Sequence, residues 1–353
     1  MESGPEATVI SLNEYPASAV AGGRARQRVD HIYRQHSSML SRQNGGAADE
    51  DIVAVVHDIE RRRNAAREAP DRPDELGRRI GAIAEFLRRR LTGDYAVDEF
   101  GFDPHFTDAV VMPLLRTLFR SWFRVDVSGV ENLPESGAAL VVANHAGVLP
   151  FDGLMASVAV HDKHPAHRSL RLLAADMVFD SPLVGQLARK AGHTMACTAD
   201  VHRLLSTGEL TAVFPEGYKG LGKRFNDRYK LQRFGRGGFV SAALRAKAPI
   251  IPCSIVGSEE IYPMIGDLKL LARLFGLPYF PITPLFPLAG AAGLIPLPSK
   301  WHIEFGEPIP TSTYDDSARE DPMLVLELSD DVREIIQRTV YRRLINRRNT
   351  FLG

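Results

Sequence analysis

The apolar run Ala139-Leu-Val-Val-Ala143 passes directly into Asn144-His145-Ala146-Gly147 and then into Pro150-Phe151-Asp152-Gly153. A histidine is the natural general base at neutral pH, because its proton comes off near physiological pH. It works only if its second ring nitrogen is held in one tautomer, and Asp152 is placed to do that. Lone histidines are more often structural. This one follows a strand-like run with an acid nearby, so His145 reads as a catalytic base and Asp152 as its orienting acid. A second run, Thr211-Ala-Val-Phe214, passes into Pro215-Glu216-Gly217-Tyr218-Lys219-Gly220. Pro and two glycines around a Glu and a Lys make a stiff, open turn. Its amides and Lys219 can face an anion or a polar acceptor; the plain alternative is a glycine-rich turn with exposed charges.

Both groups need a scaffold that ends apolar strands at one place. From Val125 onward, short apolar runs alternate with helical patterns. The runs Ala139–Ala143, Leu170–Ala174, Thr194–Ala196, Thr211–Phe214, Ile250–Val256 and Trp301–Phe305 read as strands. The stretches Gly153–Val160, Leu183–Ala191, Ala199–Leu205 and Gly238–Lys247 read as helices between them. Such alternation predicts an α/β fold with a mostly parallel central sheet flanked by helices. In sheets of that kind the chemistry sits at the carboxyl ends of the strands, which is where both groups fall.

Outside this region, helical spacing of Leu76, Ile80, Ile83, Phe86, Leu87 and Leu91 predicts an amphipathic helix ending near Thr92-Gly93. A second covers Thr107–Phe123, with Arg116, Arg120 and Arg124 beside an apolar stripe. Each suits a membrane interface, or the commoner role of packing on the main domain. Pro322–Arg348 reads as a C-terminal helix, with Leu328, Val332, Ile335, Ile336, Val340 and Leu344 inward. Residues 1–69 have weak periodicity and read as disordered or loosely helical, with a polar helix over 50–67. The expected organisation is an N-terminal extension over 1–69, amphipathic helices over 70–124, a catalytic domain over 125–310 and a C-terminal helical extension over 311–353.

Formal net charge is zero across 353 residues, so bulk charge gives no argument for nucleic acid. Two cysteines, Cys197 and Cys253, make neither a disulfide framework nor a metal-ligand pattern and suit a reducing compartment. The N-terminal residues lack a basic and apolar leader. From Leu274 to Ser299 there is no charged residue. Pro278, Pro281, Pro284, Pro287, Pro296 and Pro298 forbid a spanning helix there. That loop either packs on the domain or dips into a lipid interface. His161, His164 and His167 lack a fourth ligand and read as a solvated loop rather than a metal site.

Asn-His with a following Asp, and Phe214-Pro215-Glu216-Gly217 about 70 residues later, resemble the two main motifs of the glycerolipid acyltransferase family, the glycerol-3-phosphate and lysophospholipid acyltransferases. Ala248-Pro249-Ile250-Ile251-Pro252-Cys253-Ser254-Ile255 resembles a third. The likeness covers about Val125 to Val256. It implies that His145 removes the proton of an acceptor hydroxyl as the oxygen attacks the thioester carbonyl of acyl-CoA or acyl carrier protein. Asp152 would steady the imidazolium. Asn144, Gly147, Phe214, Pro215, Glu216, Gly217 and Lys219 would shape or hold the substrate site, with no cofactor and no metal. The implied setting is the cytoplasmic face of a membrane, with membrane lipids as partners and no nucleic acid.

Two departures stand out. Six residues, Ala146 to Phe151, separate His145 from Asp152, longer than the family's usual spacing. A helix through them would put the acid about 10 Å away, so Gly147 and Pro150 must shape a turn that folds it back; Asp176 and Asp180 are the fallback partners. The family's middle-motif Arg is missing from Gly192–Thr198, and Lys219 replaces the Arg after Phe-Pro-Glu-Gly. A weaker cationic site leaves a neutral glyceride or other lipid alcohol open beside a phosphorylated acceptor. Three rival readings remain. Gly217 to Lys223 fits part of a nucleotide-phosphate loop, but Arg224 stands where Ser or Thr must bind magnesium. A lipid esterase would need a nucleophile elbow, which is missing, or Cys197. A catalytically inactive lipid-binding membrane protein would tolerate the altered His-to-Asp spacing.

Overall fold

A computed structural model describes residues 75–351 except residue 348. The chain divides into two compact units at Arg78/Arg79, and the second unit carries the central sheet. The readings for 1–69, including the polar helix over 50–67, lie outside the described residues.

That sheet has seven strands. They are β1 (Asp126–Ser128), β2 (Ala139–Ala143), β3 (Leu170–Ala174), β4 (Thr194–Met195), β5 (Leu210–Val213), β6 (Ile250–Val256) and β9 (His302–Phe305), in the order β1-β9-β6-β2-β5-β3-β4. The block β6-β2-β5-β3-β4 is parallel throughout, while β9 runs antiparallel to β6 and carries β1 parallel to itself. Two further short strands, β7 (Gly266–Asp267) and β8 (Pro281–Ile282), pair as a separate antiparallel ribbon. The expected mostly parallel sheet is what the structure shows. β1 escaped the sequence because three residues carry too little alternation to register.

Every residue of β2 and of β6 is buried. That explains their continuous apolar runs, since a parallel strand is covered on both faces. Alternate residues go to opposite sides. Val141, Ala143, Ile251 and Ile255 join Met112, Phe119, Phe123, Met155 and Trp301 on one face. Leu140, Val142, Ile250 and Val256 join Leu204, Val240, Val332, Ile336 and Val340 on the other. The first face is covered by the helical stretch α2 (residues 104–122) and by α3 (Phe151–Lys163). The second is covered by α6 (Thr198–Ser206), α8 (Gly238–Ala246) and α10 (Pro322–Ile345). Before α2 lies α1 (Glu75–Thr92); α4 (Asp176–Asp180) and α5 (Pro182–Lys190) connect β3 to β4. The short α7 (Tyr218–Leu221) follows β5, and α9 (Lys269–Leu274) lies between β7 and β8.

α2 departs from the regular helix expected over Thr107–Phe123. It alternates α turns (Pro104–Phe106, Met112–Thr117) with π turns (Thr107–Val111, Leu118–Trp122). Pro113 has no amide to give to the preceding turn, and the wider turn just before it relieves the mismatch. Asp103 caps the start of α2, its Oδ1 accepting from the Phe106 amide at 2.9 Å. No helix of the described residues is long and apolar enough to cross a membrane.

Candidate active site

β6, β2 and β5 are neighbours and parallel, so their carboxyl ends open side by side. The centre strand delivers Asn144 and His145. β5 delivers Phe214 to Gly217, and β6 delivers Ser258 to Glu260. Asn144 pins the centre turn to β6: its side-chain amide donates to the Ile255 carbonyl at 2.9 Å, and its oxygen accepts from the Ile255 amide at 2.7 Å. Continuing the β-ladder with a side chain lets the main chain of residue 145 leave the sheet without orphaning a strand group.

Residues 144–150 form a non-helical turn. Gly147 has φ +96°, and a Cβ there would fall 2.6 Å from the Ser258 carbonyl oxygen. Only glycine fits that approach. Val148 also takes a positive φ of 61°, a strained choice for a β-branched residue. It is restrained by the Val148 amide donating to Leu221 at 3.1 Å and by the Tyr279 hydroxyl donating to the Val148 carbonyl. α3 then starts at Phe151, which brings Asp152 back onto the ring: His145 Nδ1 and Asp152 Oδ2 lie 2.8 Å apart. Asp152 is fully buried and accepts two more bonds, from the Ala146 and Gly153 amides, both at 2.8 Å. Asp176 and Asp180 are not the partners of this ring.

With Nδ1 engaged, Nε2 of His145 makes no hydrogen bond among the described residues. The side chain retains 11% exposure and its ring lies 4.5 Å from that of Phe214. Phe214, expected as the last residue of its strand, has left the ladder and forms one wall beside the imidazole.

Glu216 faces inward. Its side chain is wholly buried. Oε1 accepts the His145 amide at 2.8 Å and Oε2 accepts the Gln232 amide at 2.6 Å. Lys223 Nζ lies 3.4 Å from Glu216 and 2.8 Å from Glu259 Oε1. Burial acts against the ammonium, but the two carboxylates outweigh it and hold the Lys223 pKa above the ordinary lysine value. Lys223 is therefore internal and does not project from the turn as a phosphate-loop lysine would. Lys219 and Gly217 are exposed, and Pro215 is half-buried.

Glu259 and Glu260 went unread in the sequence, although they follow a strand end as the motif residues do. Glu259 also accepts the Tyr229 amide at 3.1 Å. Glu260 takes the Tyr229 hydroxyl and, at 2.7 Å, Arg347. Gln337 of α10 bonds both Leu231 and Tyr229, each at 2.8 Å. The C-terminal helix and the residues just after it thus hold the loop that closes over Glu216.

The remaining candidates fall elsewhere. Cys253 is fully buried in β6, and burial pushes its thiol pKa far up, so it is chemically quiet. The histidine loop is not the solvated one expected. His164 is buried with its Nε2 3.2 Å from the Leu133 carbonyl, and His161 pairs with Asp108 at 3.0 Å. Among the described residues no group of three His, Cys, Asp or Glu side chains could hold a metal ion.

Residues 124–256, the stretch that carries both motifs, match the Acyltransferase family. The chain is 68% identical over 351 residues to an uncharacterized protein of Mycobacterium tuberculosis, covering 98% of each. It is 64% identical over 356 residues to one of Mycobacterium leprae, covering 98% of this chain and 96% of that one. A human protein named DGAT1/2-independent enzyme synthesizing storage lipids is 28% identical over 195 residues, which is 54% of this chain and 55% of that one. The solved structure of the 1-acyl-sn-glycerophosphate acyltransferase PlsC of Thermotoga maritima aligns with a TM-score of 0.44 and 20% identity, over 69% of this chain and 82% of that one. The chain carries an Acyltransferase-family domain over residues 124–256 and belongs, over nearly its whole length, with these mycobacterial relatives.

Proposed function

We propose that the protein transfers a fatty acyl group from a thioester, acyl-CoA or acyl carrier protein, to the hydroxyl of a glycerolipid-type acceptor. The observation that carries this reading is the 2.8 Å contact between His145 Nδ1 and the buried Asp152, with Nε2 left for a substrate proton. In this mechanism Nε2 accepts the acceptor's hydroxyl proton as the oxygen attacks the thioester carbonyl. The thiolate then leaves from the tetrahedral intermediate and takes the proton back from the imidazolium. Asp152 stabilises that imidazolium and keeps the neutral ring in the tautomer whose Nε2 is basic. The Gly147 amide has no hydrogen-bond partner among the described residues and is free to donate to the oxyanion. General-base assistance supplies about 10²–10⁴ in rate and one oxyanion donor about 10²–10³.

The acceptor site reads as weakly cationic. Lys223 is neutralised internally, which leaves Lys219 as the exposed cation of the Phe-Pro-Glu-Gly turn. Together with the likeness to an enzyme named for storage-lipid synthesis, this favours a neutral lipid alcohol, such as a mono- or diacylglycerol, over a phosphorylated one. The setting we propose is a peripheral one on the cytoplasmic face of a membrane. The test is to incubate purified protein with labelled acyl-CoA and, in turn, glycerol 3-phosphate, lysophosphatidate, monoacylglycerol and diacylglycerol. Acylation of the neutral glycerides that His145→Ala abolishes is the expected result. Transfer to the phosphorylated acceptors alone would overturn the choice of acceptor. Turnover that survives in His145→Ala would overturn the mechanism.

A further inference from the structure

We propose that residues 265–295, with the basic loop beside them, dock the molecule on an anionic lipid bilayer. Many large apolar side chains of this stretch face outward. Leu270 is 83% exposed, Leu274 74%, Phe275 62% and Leu288 91%. Single exposed leucines need no explanation, but this many within one short stretch do. They sit on a built support. α9 (Lys269–Leu274) is carried on the β7–β8 ribbon. The Leu268 amide donates to the Phe280 carbonyl at 2.9 Å beside the ribbon, and the Leu277 amide closes the end of α9 on the Ala272 carbonyl at 2.8 Å. Ala272 is the buried residue of α9, while Leu270 and Leu274, four apart, share an outward face.

The charge around this tip is mainly positive: Asp267 at its base and Asp227 in the neighbouring loop stand against a larger number of exposed Lys and Arg side chains. Lys269 and Arg273 flank the leucines and have no ion-pair partner among the described residues. The Phe225 amide donates to the Met264 carbonyl at 2.8 Å, which fastens the loop after Lys223 to the base of the same segment. Along that loop Arg224, Lys230, Arg233 and Arg236 are exposed and likewise have no ion-pair partner among the described residues. Apolar tip and basic flank together suit the acyl boundary and headgroups of an anionic membrane. The prolines of the stretch limit it to the interface, since each removes an amide that a spanning helix would need. The surface is also continuous with the site. Tyr279, at the end of the ribbon, donates to the carbonyl of Val148, between His145 and Asp152. This docking role goes beyond the transfer reaction and stands or falls without it.

Sedimentation of the intact protein with sucrose-loaded vesicles decides the matter. The two compositions are phosphatidylcholine alone and phosphatidylcholine with phosphatidylglycerol. The protein should pellet with the anionic vesicles, and less so as salt is raised. The triple variant Leu270→Asp, Leu274→Asp, Phe275→Asp should lose at least about tenfold in partitioning, because each change removes an apolar group from the interface. Its melting curve should match the parent's, since all three side chains are exposed. Arg233→Glu with Arg236→Glu should reduce the preference for anionic vesicles. Equal binding by parent and triple variant, or no vesicle binding by the parent, would overturn the proposal. So would a lipid-free dimer of the parent that the triple variant dissolves, which would assign the patch to a second copy of this chain.

Discussion

The backbone amide of His145 donates to Oε1 of Glu216 at 2.8 Å, a single bond joining two neighbouring strand ends. It makes the carboxylate of the Phe-Pro-Glu-Gly turn a brace for the turn that carries His145. Glu216 also accepts Gln232 and lies against Lys223, so its removal orphans two amides and leaves a buried ammonium with one counter-ion.

Glu216→Ala should therefore cost about 2–4 kcal/mol of unfolding free energy, the range for stranding buried donors and weakening a buried charge pair. Glu216→Gln keeps one acceptor oxygen and should cost less. Urea titration measures both. An Ala variant as stable as the parent would contradict the inward role.

The His145–Asp152 pair makes a kinetic prediction. Asp152→Asn keeps the size of the side chain but presents one acceptor oxygen where three donors now converge. The ring loses both its tautomer control and the countercharge to its protonated form. We expect kcat to fall by about 10³–10⁴, with KM little changed. A rise in KM with kcat unchanged would mean that Asp152 shapes the binding site and not the proton transfer.

These contacts show which parts of the molecule were legible in its sequence. Runs such as Ala139–Ala143 and Ile250–Val256 announced themselves because both faces are buried, and burial is what hydrophobicity records. The short β1, held mainly by its pairing with β9, left no such trace. The inward turn of Glu216 was illegible for a different reason. Its partners Lys223 and Gln232 lie close in sequence, but the loop that carries them is shaped from a distance by Glu259, Gln337 and Arg347. The burial of His164 was hidden likewise, since its partner Leu133 comes from 31 residues away.

Two glycines of the second motif separate backbone strain from steric overlap. Gly217 has φ +55° with open space where a Cβ would sit. Gly220 has no unusual φ, but a Cβ would fall 2.6 Å from the His145 carbonyl oxygen. Gly217→Ala should cost about 1–3 kcal/mol through a positive-φ backbone, φ 55° and ψ −142°, that is all but reserved to glycine, and leave the site shape intact. Gly220→Ala must push the main chain of His145 aside and should lower kcat by about 10² even where the protein folds. Comparing melting temperature with kcat for the two distinguishes these mechanisms. Equal loss of activity in both would refute the distinction.

The clamp between α2 and α3 should respond to pH. Asp162 sits between Arg116, at 2.7 Å, and Arg120, at 2.9 Å. Burial alone would raise its pKa, but the two guanidiniums overcome that and lower it from 3.8 to about 2. A depressed carboxylate pKa stabilises the fold above its ordinary value, and that contribution is lost as pH falls from 3.8 through about 2. His161, bonded to Asp108, has the opposite sign. Its pKa is raised from 6.5, chiefly by that hydrogen bond, so its contribution is complete below 6.5 and lost as pH rises through the elevated value. The stability gap between the parent and Asp162→Asn should be widest above pH 4 and should narrow toward pH 2. The gap between the parent and His161→Gln should be widest below pH 6 and should close at alkaline pH. Urea unfolding of the three proteins across this pH range measures both gaps, and a gap that did not change with pH would show that the contact adds packing but no charge-dependent stability.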